Sequence, residues 1–304
     1  MPEFTLASVR AAGKAGLARA LARIEQAGDS AEVIDLLSAA YETPMAHVVG
    51  MTGPPGVGKS SLMNDLIGHW RGTGRTVGCI AVDPSSRRSG GALLGDRTRL
   101  STDPDDSGIF VRSMAARDRL GGLAGLTLSA MVLMRALYDL VLIETVGVGQ
   151  SETDVVGVAD TVILCVQPGA GDTLQFMKAG IAEIPHILAI TKADMEQAAS
   201  RTTADVRAAL ALADEPSGWT VPVHLVSSVD HRGIDELANA IDAHFSHLSA
   251  GGGLVAARQM QAAQWLVEAV RERFGREGVQ RAGDLRLLPG ESPFRRLADL
   301  AARL

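Results

Sequence analysis

The stretch "GPPGVGKSS", beginning at Gly53, limits the possible folds of this chain more than any other segment. It satisfies G-x-x-x-x-G-K-[ST] through Gly53, Gly58, Lys59 and Ser60. It stands between a short apolar run, "HVVGMT", and an amphipathic one, "SSLMNDLIGHWRGTG". A strand, a Gly-rich loop and a helix in that order make a phosphate cradle. Glycines let the backbone curl so that successive N–H groups face phosphate oxygens. The following helix adds its positive end. Lys59 then reaches the β- and γ-phosphates, and the Ser60 hydroxyl ligates Mg²⁺.

The rest of the chain supplies the sheet that such a loop needs. "TVGCIAVD", "GIFVRS", "YDLVLIET", "DTVILCVQ", "HILAIT" and "PVHLVSS" are short apolar runs. Helical patterns lie between most of them, at 173–183, 196–213 and 234–248. Strands apolar on both sides, alternating with helices, predict a mainly parallel sheet covered on both faces. Residues 6–41 read as helices with a break and cap at Asp29-Ser30. "SAGGGLVAAR" reads as a flexible joint. After it, Val255, Met260, Ala263, Leu266, Val267, Val270 and Phe274 form an apolar stripe. The expected organisation is an N-terminal helical extension (1–44), a nucleotide-binding α/β domain (45–250) and a C-terminal arm and tail (251–304). A helix freed by the joint needs a partner for its stripe, which predicts a homodimer through 254–275.

A formal charge of −6 argues against a nucleic-acid-binding face made by net charge. The two cysteines, Cys79 and Cys165, sit in apolar runs and read as buried thiols. That fits a reducing, cytoplasmic setting. No apolar stretch reaches transmembrane length, so no membrane partner is expected. His69, His186 and His231 look scattered, and His244 and His247 read as a surface pair with no third metal ligand.

Two carboxylates end two other strands, Asp83 and Glu144, and Asp96 is a third candidate. Ligands bind outside the carboxyl ends of parallel strands, so these acids aim at the phosphate loop. A hard cation beside phosphates wants oxygen ligands. Gly147 stands three residues after Glu144, where a backbone N–H can sense a γ-phosphate, and Gln150 is a candidate for positioning water. "AITKAD" supplies Thr191, Lys192 and Asp194, close to the guanine signature N-K-x-D. Its Asp accepts from guanine N1–H and the exocyclic amine, which adenine cannot offer. "VSSVDHRG" adds a serine loop, Ser227 and Ser228, followed by Val229. The predicted ligand is GTP or GDP, held by Gly53, Gly56, Val57, Gly58, Lys59, Ser60 and Ser61 at the phosphates.

"AVDPSSRRSGGALLGDRTRL", "ETVGVGQSETDV" and "PGAGDTLQFMKAGIAEI" resemble the MeaB/ArgK family, strongly over about 45–250. These are P-loop G-protein metallochaperones, of the SIMIBI type, for adenosylcobalamin-dependent acyl-CoA mutases. The resemblance implies switch segments at 83–106 and 144–157 and a third at 169–183. It implies Mg²⁺ among Asp83, Asp96 and Glu144, and Asp172, Gln175 and Lys178 in the third switch, with Lys178 a candidate for catalysis. It implies gating of cobalamin delivery to a methylmalonyl-CoA or 2-hydroxyisobutyryl-CoA mutase by GTP binding and hydrolysis; with no obvious arginine finger in the sequence, hydrolysis is expected to be slow and stimulated by that client. A cobalamin adenosyltransferase is a further partner in this picture. The chain departs from the pattern at Thr191, where Asn is usual, and at Ser61, where Thr is common. Rival readings are a P-loop small-molecule kinase, a nickel-type maturation GTPase, which needs a Cys/His cluster, and a nucleotide-binding module without turnover.

Overall fold

Strand β1 (His47–Thr52) is buried along its whole length, as a strand covered on both faces must be. It is the middle strand of the computed structural model, which describes residues 4–84, 100–116, 125–145, 155–169, 185–211 and 218–304. The other strands are β2 (Val77–Pro84), β3 (Ile109–Ala116), β4 (Leu140–Glu144), β5 (Thr161–Val166), β6 (Ile187–Ile190) and β7 (Val223–Leu225). They pair in the order β3-β2-β4-β1-β5-β6-β7, every pair parallel. The helices are α1 (Leu6–Ala11), α2 (Gly13–Ala27), α3 (Ala31–Glu42), α4 (Lys59–Gly72), α5 (Gly125–Arg135), α6 (Glu196–Leu210), α7 (Ile234–Ala250), α8 (Gly253–Ala282) and α9 (Pro293–Ala301). The predicted helix at 173–183 lies outside the described residues.

Successive side chains along each strand enter different cores, the period of two that a pleat dictates. Val49, Met51, Leu140, Leu142 and Ile163 pack under Leu62, Met63, Leu66 and Trp70 of α4 and Leu237 and Ile241 of α7. Val48, Val141, Ile143 and Val162 face the other way, against Leu17, Leu21, Leu36, Met131 and Met134 of α2, α3 and α5. Both cysteines are buried free thiols. Burial raises the Cys165 thiol to about 12.

The N-terminal helices have one more break than the sequence suggested. Thr5 and Ser8 form a capping box on α1, and Gly13 takes φ +57° at the start of α2. Ser30 holds the N-cap position of α3, but its hydroxyl makes no capping bond.

The C-terminal helix is tied to the sheet, which corrects the picture of an arm freed by its glycines. Arg258 grips the Asp160 carboxylate through Nε (2.8 Å) and Nη2 (2.6 Å). Its Nη2 also donates to the Ala46 carbonyl. Asp160 is buried and accepts the Val48 N–H. A buried carboxylate needs such a partner, and α8 brings it. Leu266 and Val270 of the stripe pack on Leu285, Leu287 and Leu300 of the same chain. Val255 and Met260 remain 71% and 67% exposed. The helix breaks at Gly275 (φ 70°, ψ −169°), a conformation suited to glycine.

The histidines are less dispersed than the sequence indicated. At the amino ends of the strands, His47 Nε2 and His244 Nδ1 lie 2.6 and 2.7 Å from the same Thr161 hydroxyl. His186 stacks on His244 at 4.3 Å, and Trp219 meets it edge-on at 4.8 Å. His244 is fully buried and thus not half of a surface pair. Burial pushes His47 down to about 4, against the opposing pull of Asp160. It lowers His186 to about 4 and His244 to about 3. The trio is brought together from β1, the approach to β6, and α7, which no local spacing reveals.

Candidate functional site

The opposite, carboxyl ends of the strands carry the phosphate loop. Gly53 follows β1 at φ +137°, and a Cβ there would lie 2.3 Å from the Cys165 carbonyl oxygen. Only glycine fits so close to the neighbouring strand. Gly56 and Gly58 take φ +74° and +104°, curling the loop into the start of α4. Lys59, buried, opens that helix. The first turn of a helix leaves its N–H groups without intrahelical acceptors and carries the positive end of the dipole. Lys59 Nζ donates to the Gly53 (2.7 Å) and Pro54 (3.1 Å) carbonyls of its own loop. Those are neutral acceptors, and a phosphate oxygen is a stronger one for the same ammonium. Ser61 is exposed in the same turn.

Strand order places the metal-ligand candidates beside this loop. β4 lies next to β1, with Met51 paired to Glu144. Ser60 Oγ donates to Glu144 Oε1 at 2.7 Å, although 84 residues separate them. Hydroxyl and carboxylate together form an all-oxygen donor pair, the kind a hard divalent cation takes. Thr145, which the sequence reading passed over, is buried with its backbone N–H on Met51 O (3.1 Å). Its hydroxyl lies 3.3 Å from Thr52 Oγ1. Asp83 stands near the end of β2 in register with Ala115. Asp96, Gly147, Gln150, Asp172, Gln175 and Lys178 lie outside the described residues. Among those described, no group of three or more His, Cys, Asp or Glu is arranged to hold a metal ion.

The predicted base-reading residues lie beyond β6. Thr191 Oγ1 donates to the Val57 carbonyl of the phosphate loop at 2.7 Å and lies 3.1 Å from Val166 O. Threonine here braces the loop directly. Lys192 has φ +52°, a left-handed backbone uncommon for a side-chain-bearing residue. Its Nζ reaches the Gly56 carbonyl (2.9 Å) and Gln167 Oε1 (2.8 Å). Gln167 also escaped the sequence reading. As a polar residue just past an apolar strand end, it carried the same signal as Glu144. Asp194 does not cap α6, whose N-cap is Met195 with no side-chain capping bond. Instead, the buried Ser227 hydroxyl lies 3.1 Å from Asp194 Oδ1 and 3.4 Å from Asp230 Oδ2. Arg232, exchanging backbone bonds with Ser227, donates to the Ala193 carbonyl at 2.8 Å. The T-K-A-D and serine loops thus form one braced unit. Ser228 is half-buried and Val229 exposed at its rim.

A model of the family described as "Methylmalonyl Co-A mutase-associated GTPase MeaB" matches residues 17–281. A Pyrococcus abyssi protein is 46% identical over 216 residues, 70% of this chain and 66% of that one. GTPase ArgK of Escherichia coli is 36% identical over 228 residues, 74% of this chain and 69% of that one. The crystal structure of a LAO/AO transport system kinase is 27% identical and covers 99% of both chains at a TM-score of 0.69. Among the described residues, no helix is long and apolar enough to cross a membrane.

Proposed function

The chain belongs to the MeaB family of GTPases, and from that premise we propose that it is a nucleotide-switched metallochaperone for a cobalamin-dependent acyl-CoA mutase. GTP hydrolysis is the family's activity. In the proposed role, nucleotide state gates cobalamin delivery to the mutase. The observation that carries the nucleotide half is the convergence at one end of the sheet of the Gly53–Ser60 loop, the Ser60–Glu144 pair and the Ser227-oriented Asp194. The family description, mutase-associated, supports the client half. The client is a methylmalonyl-CoA or 2-hydroxyisobutyryl-CoA mutase, with a cobalamin adenosyltransferase upstream.

Each group has a distinct task in this reading. Loop N–H groups and Lys59 neutralise charge on the β/γ-phosphates, where preorganised donors act most strongly. Ser60 and Glu144 hold Mg²⁺, directly or through water, with Asp83 and Asp96 completing the set. Mg²⁺ supplies charge neutralisation across the phosphates. Gly147 senses the γ-phosphate, Gln150 orients water, and Lys178 of the third switch serves catalysis. Asp194 reads guanine, flanked by Ser228 and Val229.

The test is GTP turnover with and without a cobalamin-dependent acyl-CoA mutase from the same source. Stimulation by on the order of 10³-fold, the lower range for an ordered finger or loop, supports client activation. A rate unchanged across a saturating titration would reject it. Phosphate release without an added acceptor separates GTPase from kinase. The reading also includes a homodimer through the exposed face of α8. Because Leu266 and Val270 are core residues, the probe is Val255→Glu with Met260→Glu, not removal of the helix. Light scattering that finds the same mass before and after the change would reject that interface.

A further inference from the structure

Among the described residues, the two non-glycine positions with a left-handed backbone are Lys192 (φ 52°) and His231 (φ 50°). Both belong to the base-reading unit. A side-chain-bearing residue adopts that backbone at a cost, and its surroundings must impose it. Lys192 is held by its bonds to Gly56 and Gln167. His231 is held from helix α4. Its Nδ1–H donates to Asp65 Oδ1 at 3.0 Å, although 166 residues separate the two. The Asp65 side chain is only 11% exposed, against 76% for His231, and its Oδ2 is buried with no hydrogen-bond partner. A nearly buried carboxylate with a single such contact gains little for its desolvation, so stability alone does not account for the pair. A second contact repeats the first one turn along the helix. His69 Nδ1 donates to Asp235 Oδ1 at 2.7 Å, and Asp235 stands in the first turn of α7. Asp65 and His69, four residues apart, share a face of α4. His231 itself sits inside the turn that closes the serine loop. There Ser227 and Arg232 exchange both backbone bonds at 3.0 Å, and Ser227 Oγ accepts the Asp230 N–H at 3.3 Å.

We propose that Asp65 is a positioning residue for guanine selectivity, acting through His231. The inference rests on the reading of Asp194 as the residue that accepts from guanine. Helix α4 begins at Lys59 and Ser60, so one of its ends is set at the phosphates. From that helix Asp65 fixes His231, the turn fixes Ser227, and the Ser227 hydroxyl stands 3.1 Å from Asp194 Oδ1. This chain of contacts ties the carboxylate that reads the base to the helix that meets the phosphates. A carboxylate that accepts from two donors of one base loses a partner when it rotates. Adenine offers it no such donors. Loss of the pair should therefore weaken guanine nucleotides and leave adenine nucleotides where they are. Among the described residues, neither Asp65 nor His231 bonds to the phosphate loop, so the chemical step should keep its rate.

The experiment measures GDP and ADP affinity of the full chain by calorimetry, with GTP turnover beside them. Asp65→Ala removes the acceptor. His231→Gly removes the donor and accommodates the left-handed backbone. His231→Asn is the conservative variant, because asparagine tolerates that backbone and carries an N–H donor near the place of Nδ1. We expect GDP affinity to fall about fivefold in Asp65→Ala and in His231→Gly, the scale of one hydrogen bond, with ADP affinity held within about twofold. KM for GTP should rise by a similar factor while kcat stays within about twofold, the pattern of binding lost without loss in the transition state. His231→Asn should recover most of the GDP affinity. Equal losses for GDP and ADP would overturn the proposal, since they report a structural role alone. GDP affinity unchanged in both Asp65→Ala and His231→Gly would overturn it too. If Asp65→Ala fails to fold, equal GDP affinity in His231→Gly and His231→Asn would overturn it. An unmodified chain that binds ADP as tightly as GDP would instead remove the reading of Asp194, and this inference with it.

Discussion

Lowering the pH from 7.5 to 5 should destabilise the protein through the buried histidines at the amino ends of the strands. His47 is lowered from 6.5 to about 4 and His244 to about 3, in both cases chiefly by burial. An unfolded chain binds protons at these rings below about pH 6.5, whereas the folded chain does not until near 4 and 3. Unfolding therefore takes up protons in that window, and stability rises with pH. The contribution is full above about 6.5 and is lost as pH falls toward the folded values. At pH 5 the loss is about 2 kcal/mol for each of these two rings, against a total stability of about 5–15 kcal/mol. The two rings share the Thr161 hydroxyl, so protonating one changes the other and the sum is an upper figure. Urea titrations at pH 7.5, 6 and 5 measure the effect, with the slope of stability against pH counting the protons. His47→Gln should remove about one proton from that slope near pH 5. A stability flat to within about 1 kcal/mol across this range would refute the reasoning. It would mean that the rings are solvated or already charged in the folded state.

Three further outcomes follow from the geometry. Lys59→Ala should cut kcat for GTP by about 10²–10³, the loss expected for one preorganised charge donor; unchanged turnover would rule out the assigned loop. Asp194→Asn should weaken GTP binding by about 1.5–3 kcal/mol, the scale of hydrogen bonds to a charged group, and narrow the preference over ATP; calorimetry finding ATP as tight as GTP in the unmodified chain would remove its role. Arg258→Ala leaves the Asp160 carboxylate buried with its Val48 N–H but without its hydrogen-bonded cation, Arg135 acting on it only through space, and should cost about 3–5 kcal/mol in a urea titration. In the background of Asp160→Asn the same change should cost far less, and equal costs in both backgrounds would show that the pair is not coupled.

Much of the candidate site was legible because its signals are local. A loop of fixed glycines between a strand and a helix needs no distant residue to be recognised. Apolar runs alternating with helical patterns specify a parallel sheet, and a parallel sheet puts strand-end residues such as Glu144 and Asp194 on one side. Burial of Cys79 and Cys165 followed from the same runs. What the chain's periodicity could not specify is which strand lies beside which. β1 sits between β4 and β5, and that order alone brings Ser60 to Glu144 and Gly53 against Cys165. It also decides Thr191, whose hydroxyl crosses 134 residues of sequence to brace Val57. In the same way the histidines looked scattered because His47 and His244, which meet at Thr161, and His186, which stacks on His244, come from three separate elements. Arg258 and Gln261 lie outside the apolar stripe that the sequence shows, and only the structure sets Asp160 and the turn at Val155 beneath them. Local propensity sets the elements and their faces within a few residues. Burial of charge and pairing of backbone groups across elements are properties of the packed whole, and only tertiary structure assigns their partners.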